Sequence, residues 1–351
     1  MAPQVSFEVT DHHVVVGRNE RRSAGLEHWV DGTLGIDRHA GRTLAIAPNG
    51  PFLARHDLTE GGFISGLLDA QQRILGLPDD VDHASGGPLH RDDASGLLLL
   101  TYHGETFRDG DPTDYYSFIG LAASDDDGVT FRDLGRVVTS WLDEHDPGRP
   151  RPVDLGSGGH IEHDGWFTLH FQDRGILHSR RDLSVARART ADVVAAALDG
   201  GVPEFTKYFD GRWCEPGLGG RSDELMPGLR RRVVWSDAAY VEPLGQHLLV
   251  VSQVAEMRGP VAQWQQSISL SADGVRWSDP VPVTSPEPAE LLYVTVDSGG
   301  SDQHRIEGDE FHLYRVRSTA RWRWDDACLE RLTVKIVDPG GPRREHSPFG
   351  R

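Results

Sequence analysis

The chain has 351 residues, 36 of them basic and 54 acidic, which gives a formal charge of −18. Such a surplus disfavours nucleic acid and anionic membrane as partners, since both would repel it. Two cysteines, Cys214 and Cys328, cannot build a disulfide scaffold, so reduced thiols are expected.

The first residues carry neither the basic start nor the apolar core of a signal peptide. No run approaches the roughly 18 apolar residues of a membrane helix. A soluble, cytoplasmic protein is therefore expected. Val5–Val16 alternates and reads as an outer strand. Further along, the apolar stretches are short and bounded by turn residues, as in Leu97–Tyr102, Trp166–Phe171, His247–Val251 and Phe311–Val316. Short strands separated by Gly, Asp and Pro predict an all-β protein. Helix candidates are Ala191–Leu198 and, more weakly, Ala70–Leu75.

One hairpin recurs. Ser124-Asp125-Asp126-Asp127-Gly128-Val129-Thr130-Phe131 is matched by Ser271-Ala272-Asp273-Gly274-Val275-Arg276-Trp277. Each follows an alternating strand and leads into another, and Asp-Gly supplies the positive φ of a tight turn. Around this hairpin a longer unit emerges, with starts near Trp29, Asp82, Gly156, Ser236 and Tyr293. Five such four-stranded units predict a five-bladed β-propeller in a single domain, 1–351, with a funnel-shaped central channel. Residues 5–16 would close the last blade, and 201–232 would form an inter-blade loop over the funnel. A double β-sandwich is the alternative fold.

In a propeller the innermost strands start at one mouth of the channel, so polar residues there converge. The candidates in chain order are Asp31, Asp82 with His83, His160, Asp237 and Asp297. Converging carboxylates in a wet funnel suit glycoside hydrolysis, in which one carboxyl donates a proton and another activates water or attacks the sugar. In the loop over the funnel, Trp213, Glu215 and Arg221 add a stacking ring and two hydroxyl-binding charges.

The run His83-Ala84-Ser85-Gly86-Gly87-Pro88-Leu89, then Leu99–Glu105, then Tyr115–Ala122 through the Asp-Gly hairpin, resembles a blade of the five-bladed propeller glycosidases. These are glycoside hydrolase family 43 and its distant relatives. The Ser-x-Asp-x-Gly hairpin also resembles the Asp box of sialidases, which have six blades. The first resemblance implies a glycosidase acting on a small glycoside or oligosaccharide, with inversion expected. It implies Asp31 as general base, Asp82 or Asp237 as the carboxylate that tunes it, and Glu215 as general acid. His83, His160, Trp213, Arg221 and Asp297 would bind substrate. The sequence departs from the family where the third unit offers His160 in place of an acid.

Other readings stay open. A non-hydrolytic lyase, cyclase or phosphorylase could use the same funnel with His83 or His160 as proton carrier, and a catalytically silent propeller could bind sugar or protein. No metal-binding motif is present among the 17 histidines, although a Ca²⁺ held in the channel through carboxylates and water is left open. Arg230-Arg231-Arg232 reads as a solvated loop and Cys214 as a plain thiol.

Overall fold

The structure is a computed structural model that describes residues 5–23, 25–26, 29–49, 52–58, 81–156, 159–173, 182–229, 233–319 and 324–337. It is all-β and propeller-like. Five antiparallel sheets follow one another along the chain. The first contains Gly35–His39, Arg42–Asn49 and Phe52–Leu58. The second begins with a broken inner strand, His83–Ser85 and Leu89–Arg91, and continues through Leu98–Arg108, Asp111–Ser124 and Arg132–Thr139. In the third, Leu155–Gly156 and His160–His163 precede Trp166–Asp173, Asp182–Arg189, Thr206–Phe209 and Arg212–Pro216. The fourth runs through Val233–Val241, Gln246–Arg258, Val261–Ser271 and Val281–Pro282, with Arg305–Ile306 parallel to its inner strand. Glu290–Asp297, Glu310–Ser318 and Cys328–Val337 make the fifth, completed by Ser6–Val16 from the N-terminus.

Each sheet packs against the next, and the fifth returns to the first. The closure is polar as well as apolar. Leu34 N donates to Thr295 Oγ1 at 2.9 Å, and Ile36 N donates to Gln303 Oε1 at 2.7 Å. The N-terminal strand pairs with Cys328–Val337 from Ser6↔Val337 to Val16↔Leu329, as its alternation predicts. Apolar side chains fill the wedges between sheets, with Phe167, Leu169 and Phe171 of the third facing Ile119, Leu121 and Val138 of the second.

Local sequence explains the turns. Asp109-Gly110 and Asp164-Gly165 both take left-handed conformations, with φ of 54° and 74° in the first and 52° and 73° in the second. This matches the twist of a two-residue hairpin. The recurring hairpin is bonded the same way twice. Gly128 N donates to Ser124 Oγ and Thr130 N to Asp126 Oδ1, at 2.9 and 2.8 Å. Gly274 N to Ser271 Oγ and Arg276 N to Asp273 Oδ1 repeat those distances.

Three expectations change. Four sheets have four or more strands, but the first has three among the described residues, so five four-stranded blades are not what is seen. Within the loop expected at 201–232, Thr206–Phe209 and Arg212–Pro216 instead form the two outermost strands of the third sheet, because Asp210-Gly211 turns with φ of 51° and 75° and Lys207↔Glu215 pair across it. Thr190–Leu198 is helical, as expected for this region, while Ala70–Leu75 and Arg230–Arg232 lie outside the described residues.

Candidate active site

Asp31 enters the site just ahead of the first sheet's inner strand. Tyr293, from the inner strand of the fifth sheet, donates its hydroxyl to Asp31 Oδ1 at 2.7 Å. His83, from the second, places Nε2 3.6 Å from Asp31 Oδ2. Three sheets thus meet on one carboxylate. Protein surrounds it closely, yet 18% of the side chain stays accessible. Burial raises the Asp31 carboxyl above the ordinary carboxylate range, with His83 and the Tyr293 hydrogen bond only partly offsetting it.

The second sheet supplies the neighbours through its register. His83 pairs with Glu105 and Ser85 with His103, so the two-residue period sets all four on one face. His103 Nδ1 lies 3.0 Å from Leu155 O, and Nε2 lies 3.0 Å from Glu105 Oε1. A carbonyl can only accept, so Nδ1 carries a proton and donates to Leu155 O, and one further proton lies between Nε2 and Glu105 Oε1. Burial opposes charge on the ring, but Glu105, Asp154 and the Leu155 carbonyl outweigh it and raise the His103 pKa.

Trp235 completes the wall. Its Nε1 donates to Thr33 Oγ1 at 2.8 Å, and its ring meets that of Tyr293 edge-on at 4.7 Å. It thereby joins the fourth sheet to the first and fifth beside Asp31. Farther round, Lys207 is fully buried and donates to Thr139 O and Gly220 O at 2.5 and 2.7 Å. Burial pulls its amine down to about 8, against the pull of Asp173 and Glu215.

Of the residues expected from sequence, Asp31 and His83 are brought together, and the others stand elsewhere. Asp82 is exposed and accepts from Phe107 N, on the neighbouring strand, at 2.6 Å. Asp237 has no exposed surface and accepts from Ala238 N, Val296 N and His304 Nε2, which uses its oxygens for the joint between the fourth and fifth sheets. Asp297 is likewise buried, held by both terminal nitrogens of Arg38 at 2.7 Å. His160 is buried, its ring 4.6 Å from Phe167 and 5.2 Å from His304, and burial pushes its pKa well below the usual value. Glu215 Oε2 accepts from Arg221 N at 3.1 Å, across its own turn. Trp213 stacks on Arg187, which also covers Trp166, at 4.0 and 3.8 Å. Arg221 is exposed, 5.8 Å from the Phe209 ring.

Sequence reasoning missed Tyr293, Trp235 and the His103–Glu105 pair as site residues. The alternation of His83/Ser85 against His103/Glu105 was the available signal, but it needs the strand register to be read.

The Ca²⁺ left open above finds no ready ligand set among the described residues, where no group of three or more His, Cys, Asp or Glu side chains is placed to hold a metal ion. Calcium asks for six to eight oxygens, and the deep acids Asp237 and Asp297 are already committed to backbone N–H groups, His304 and Arg38.

No family model matches the chain, and no curated protein matches it. Solved structures do. The catalytic domain of the Coprinopsis cinerea GH62 α-L-arabinofuranosidase is similar at a TM-score of 0.52 and 12% identity, over 95% of this chain and 97% of that one. The GH43 endo-arabinanase from Bacillus licheniformis is similar at 0.51 and 15% identity, over 87% and 93%. The fold is that of the propeller glycosidases. A glycosidase activity does not follow from the fold alone, because an N-acetylgalactosamine deacetylase from F. plautii is equally similar, at 0.52 and 12% identity over 95% and 94%. No helix among the described residues is long and apolar enough to cross a membrane.

Proposed function

We propose that this propeller hydrolyses a glycosidic bond in a small glycoside or oligosaccharide, with Asp31 as general base. The observation that carries the reading is the accessible carboxylate of Asp31 at the meeting of three sheets, oriented by Tyr293 and flanked by His83. A base works best when its pKa is drawn toward the working pH, and burial moves Asp31 in that direction. Asp31 would take a proton from water as the water attacks the anomeric carbon. The proton for the leaving oxygen would come from the His103–Glu105 pair, whose Glu105 side chain keeps 17% of its surface accessible. Half-buried Tyr293, backed by the buried Trp235, would offer aromatic surface to the sugar.

A panel of aryl glycosides tests this. Release from at least one substrate is expected, lost by about 10²–10⁴-fold in Asp31→Asn, and the anomer of the first-formed product by NMR is expected to be inverted. No release from any member of the panel would overturn the hydrolase.

One observation favours a second reading. His83 beside Asp31 is a histidine–carboxylate dyad of the kind that abstracts protons, which suits an eliminating lyase. Formation of an unsaturated sugar, seen by ultraviolet absorbance and lost in His83→Gln, would select it.

A further inference from the structure

A second site lies away from Asp31, in the cleft where the fourth sheet faces the segment that enters it. A cavity of about 440 Å³ is lined there by Leu225, Met226 and Leu229 on one side and by Trp277, Gln253 and Gln265 on the other. The side chains that meet Asp31, Tyr293 and His83, are not among them.

The two glutamines decide the chemistry. They are cross-strand partners, Gln253↔Gln265, and only 5% and 8% exposed. Both donate Nε2 to one acceptor, Ser267 Oγ, at 2.7 and 3.3 Å. A carboxamide whose nitrogen is pinned has its carbonyl aimed away from the pin. Among the described residues neither Oε1 has a partner, and neither is sealed from solvent, unlike the buried unpaired atoms Gln172 Oε1 and Ser236 Oγ. The small surface that each glutamine retains therefore opens into the cavity that both line. Burying such acceptors without a donor is costly, so the cleft is set to receive hydroxyl or N–H groups.

We propose that this cleft binds a neutral sugar ring as an auxiliary site, separate from the catalytic pocket. Two fixed carbonyls meet adjacent hydroxyls, while Trp277 and the leucines cover the apolar C–H face. Among the described residues the charged side chain on the cavity is Asp279, a further acceptor for hydroxyls, and no cation there calls for an anion. The proposal does not depend on hydrolysis at Asp31, since a silent propeller could hold the same sugar.

The test titrates D-xylose, D-galactose and xylobiose into the whole chain carrying Asp31→Asn, following the Trp277 indole N–H resonance, assigned with Trp277→Phe. A saturable shift with at least one of the three is expected. Gln253→Leu combined with Gln265→Leu should weaken it by about 10–100-fold, the worth of two hydrogen bonds. Ser267→Ala, which unpins the amides but keeps them, should weaken it less. Each single glutamine variant is run beside the double one, with its melting curve, so that a folding defect in one leaves the other to decide. An unmoved resonance with all three sugars, or a shift unchanged in folded glutamine variants, overturns the site.

Discussion

Tyr293 and Asp31 stand 262 positions apart in the chain, and their side chains meet at 2.7 Å, Tyr293 Oη donating to Asp31 Oδ1. The contact joins the fifth sheet to the first, so the closure of the ring and the state of the candidate base are one matter. A hydroxyl donating to a carboxylate favours its ionised form. Tyr293→Phe removes that support, and the Asp31 pKa rises further. The acid limb of the pH–rate profile should therefore move to higher pH by about 1 unit, the equivalent of about 1.4 kcal/mol, with KM changed far less than kcat. A limb that stays in place would separate Tyr293 from the chemistry.

Asp31 also carries a stability signature. Its folded pKa is raised above the unfolded value, so the folded state holds the proton more tightly and stability falls as pH rises through the carboxylate range. Asp31→Asn removes that penalty while leaving an oxygen to accept from Tyr293. Its melting temperature should exceed that of the wild type at pH 7, with the gap closing at pH below the carboxylate range, even as activity disappears. Calorimetry at the two pH values checks this, and a destabilised Asn variant at pH 7 would contradict it.

Much of this was legible in the sequence, and the limits have physical causes. The repeated Ser-x-Asp-Gly hairpin and the closing N-terminal strand follow from local rules, turn chemistry and alternation. Asp31 and His83 could be found because one precedes and the other opens a short inner strand. Glu105 and His103 could not, because their role depends on pairing with His83 and Ser85 across the sheet. Asp237 and Asp297 were misplaced for a related reason. An acid on an inner strand reads the same whether it faces open channel or a neighbour's N–H groups, and only Arg38 and His304 reveal the difference. For 201–232, density of aromatic residues suggested a lid, whereas Asp210-Gly211 was the same hairpin signal trusted elsewhere.

Buried histidines predict acid lability. His170 and His247 are held down to about 4, chiefly by burial, while the unfolded chain takes up the proton near 6.5. The unfolded state then binds more protons, so stability is lost as pH falls from about 6.5 to about 4. Each residue contributes up to about 3 kcal/mol across that window. His160 acts in the same sense. His103 and His304, raised by Glu105 and Asp237 respectively, act in the opposite one. Urea midpoints measured between pH 7.5 and 4.5 should therefore drop, and His170→Gln should flatten the slope. A slope unchanged in that variant would remove His170 from the account.

Asp297 separates structure from chemistry. Its carboxylate is fully buried and Arg38 grips both oxygens at 2.7 Å, so the pair ties the first sheet to the fifth at the ring's closure. Taking away one partner of a buried pair strands the other charge, at a cost of about 3–5 kcal/mol. Arg38 keeps 27% of its side chain exposed, which lets water take up part of that charge and puts the expected loss at the lower end, about 3 kcal/mol. Asp297→Asn should therefore unfold at clearly lower urea, yet turn over substrate at the wild-type rate per folded molecule. That is the reverse of Asp31→Asn, which should be stable and inactive. Because one acid stands just ahead of an inner strand and the other at the end of one, the contrast tests whether contacts rather than nearness to an inner strand decide which one reacts. An Asp297→Asn protein that stays stable but loses turnover would return Asp297 to the substrate site.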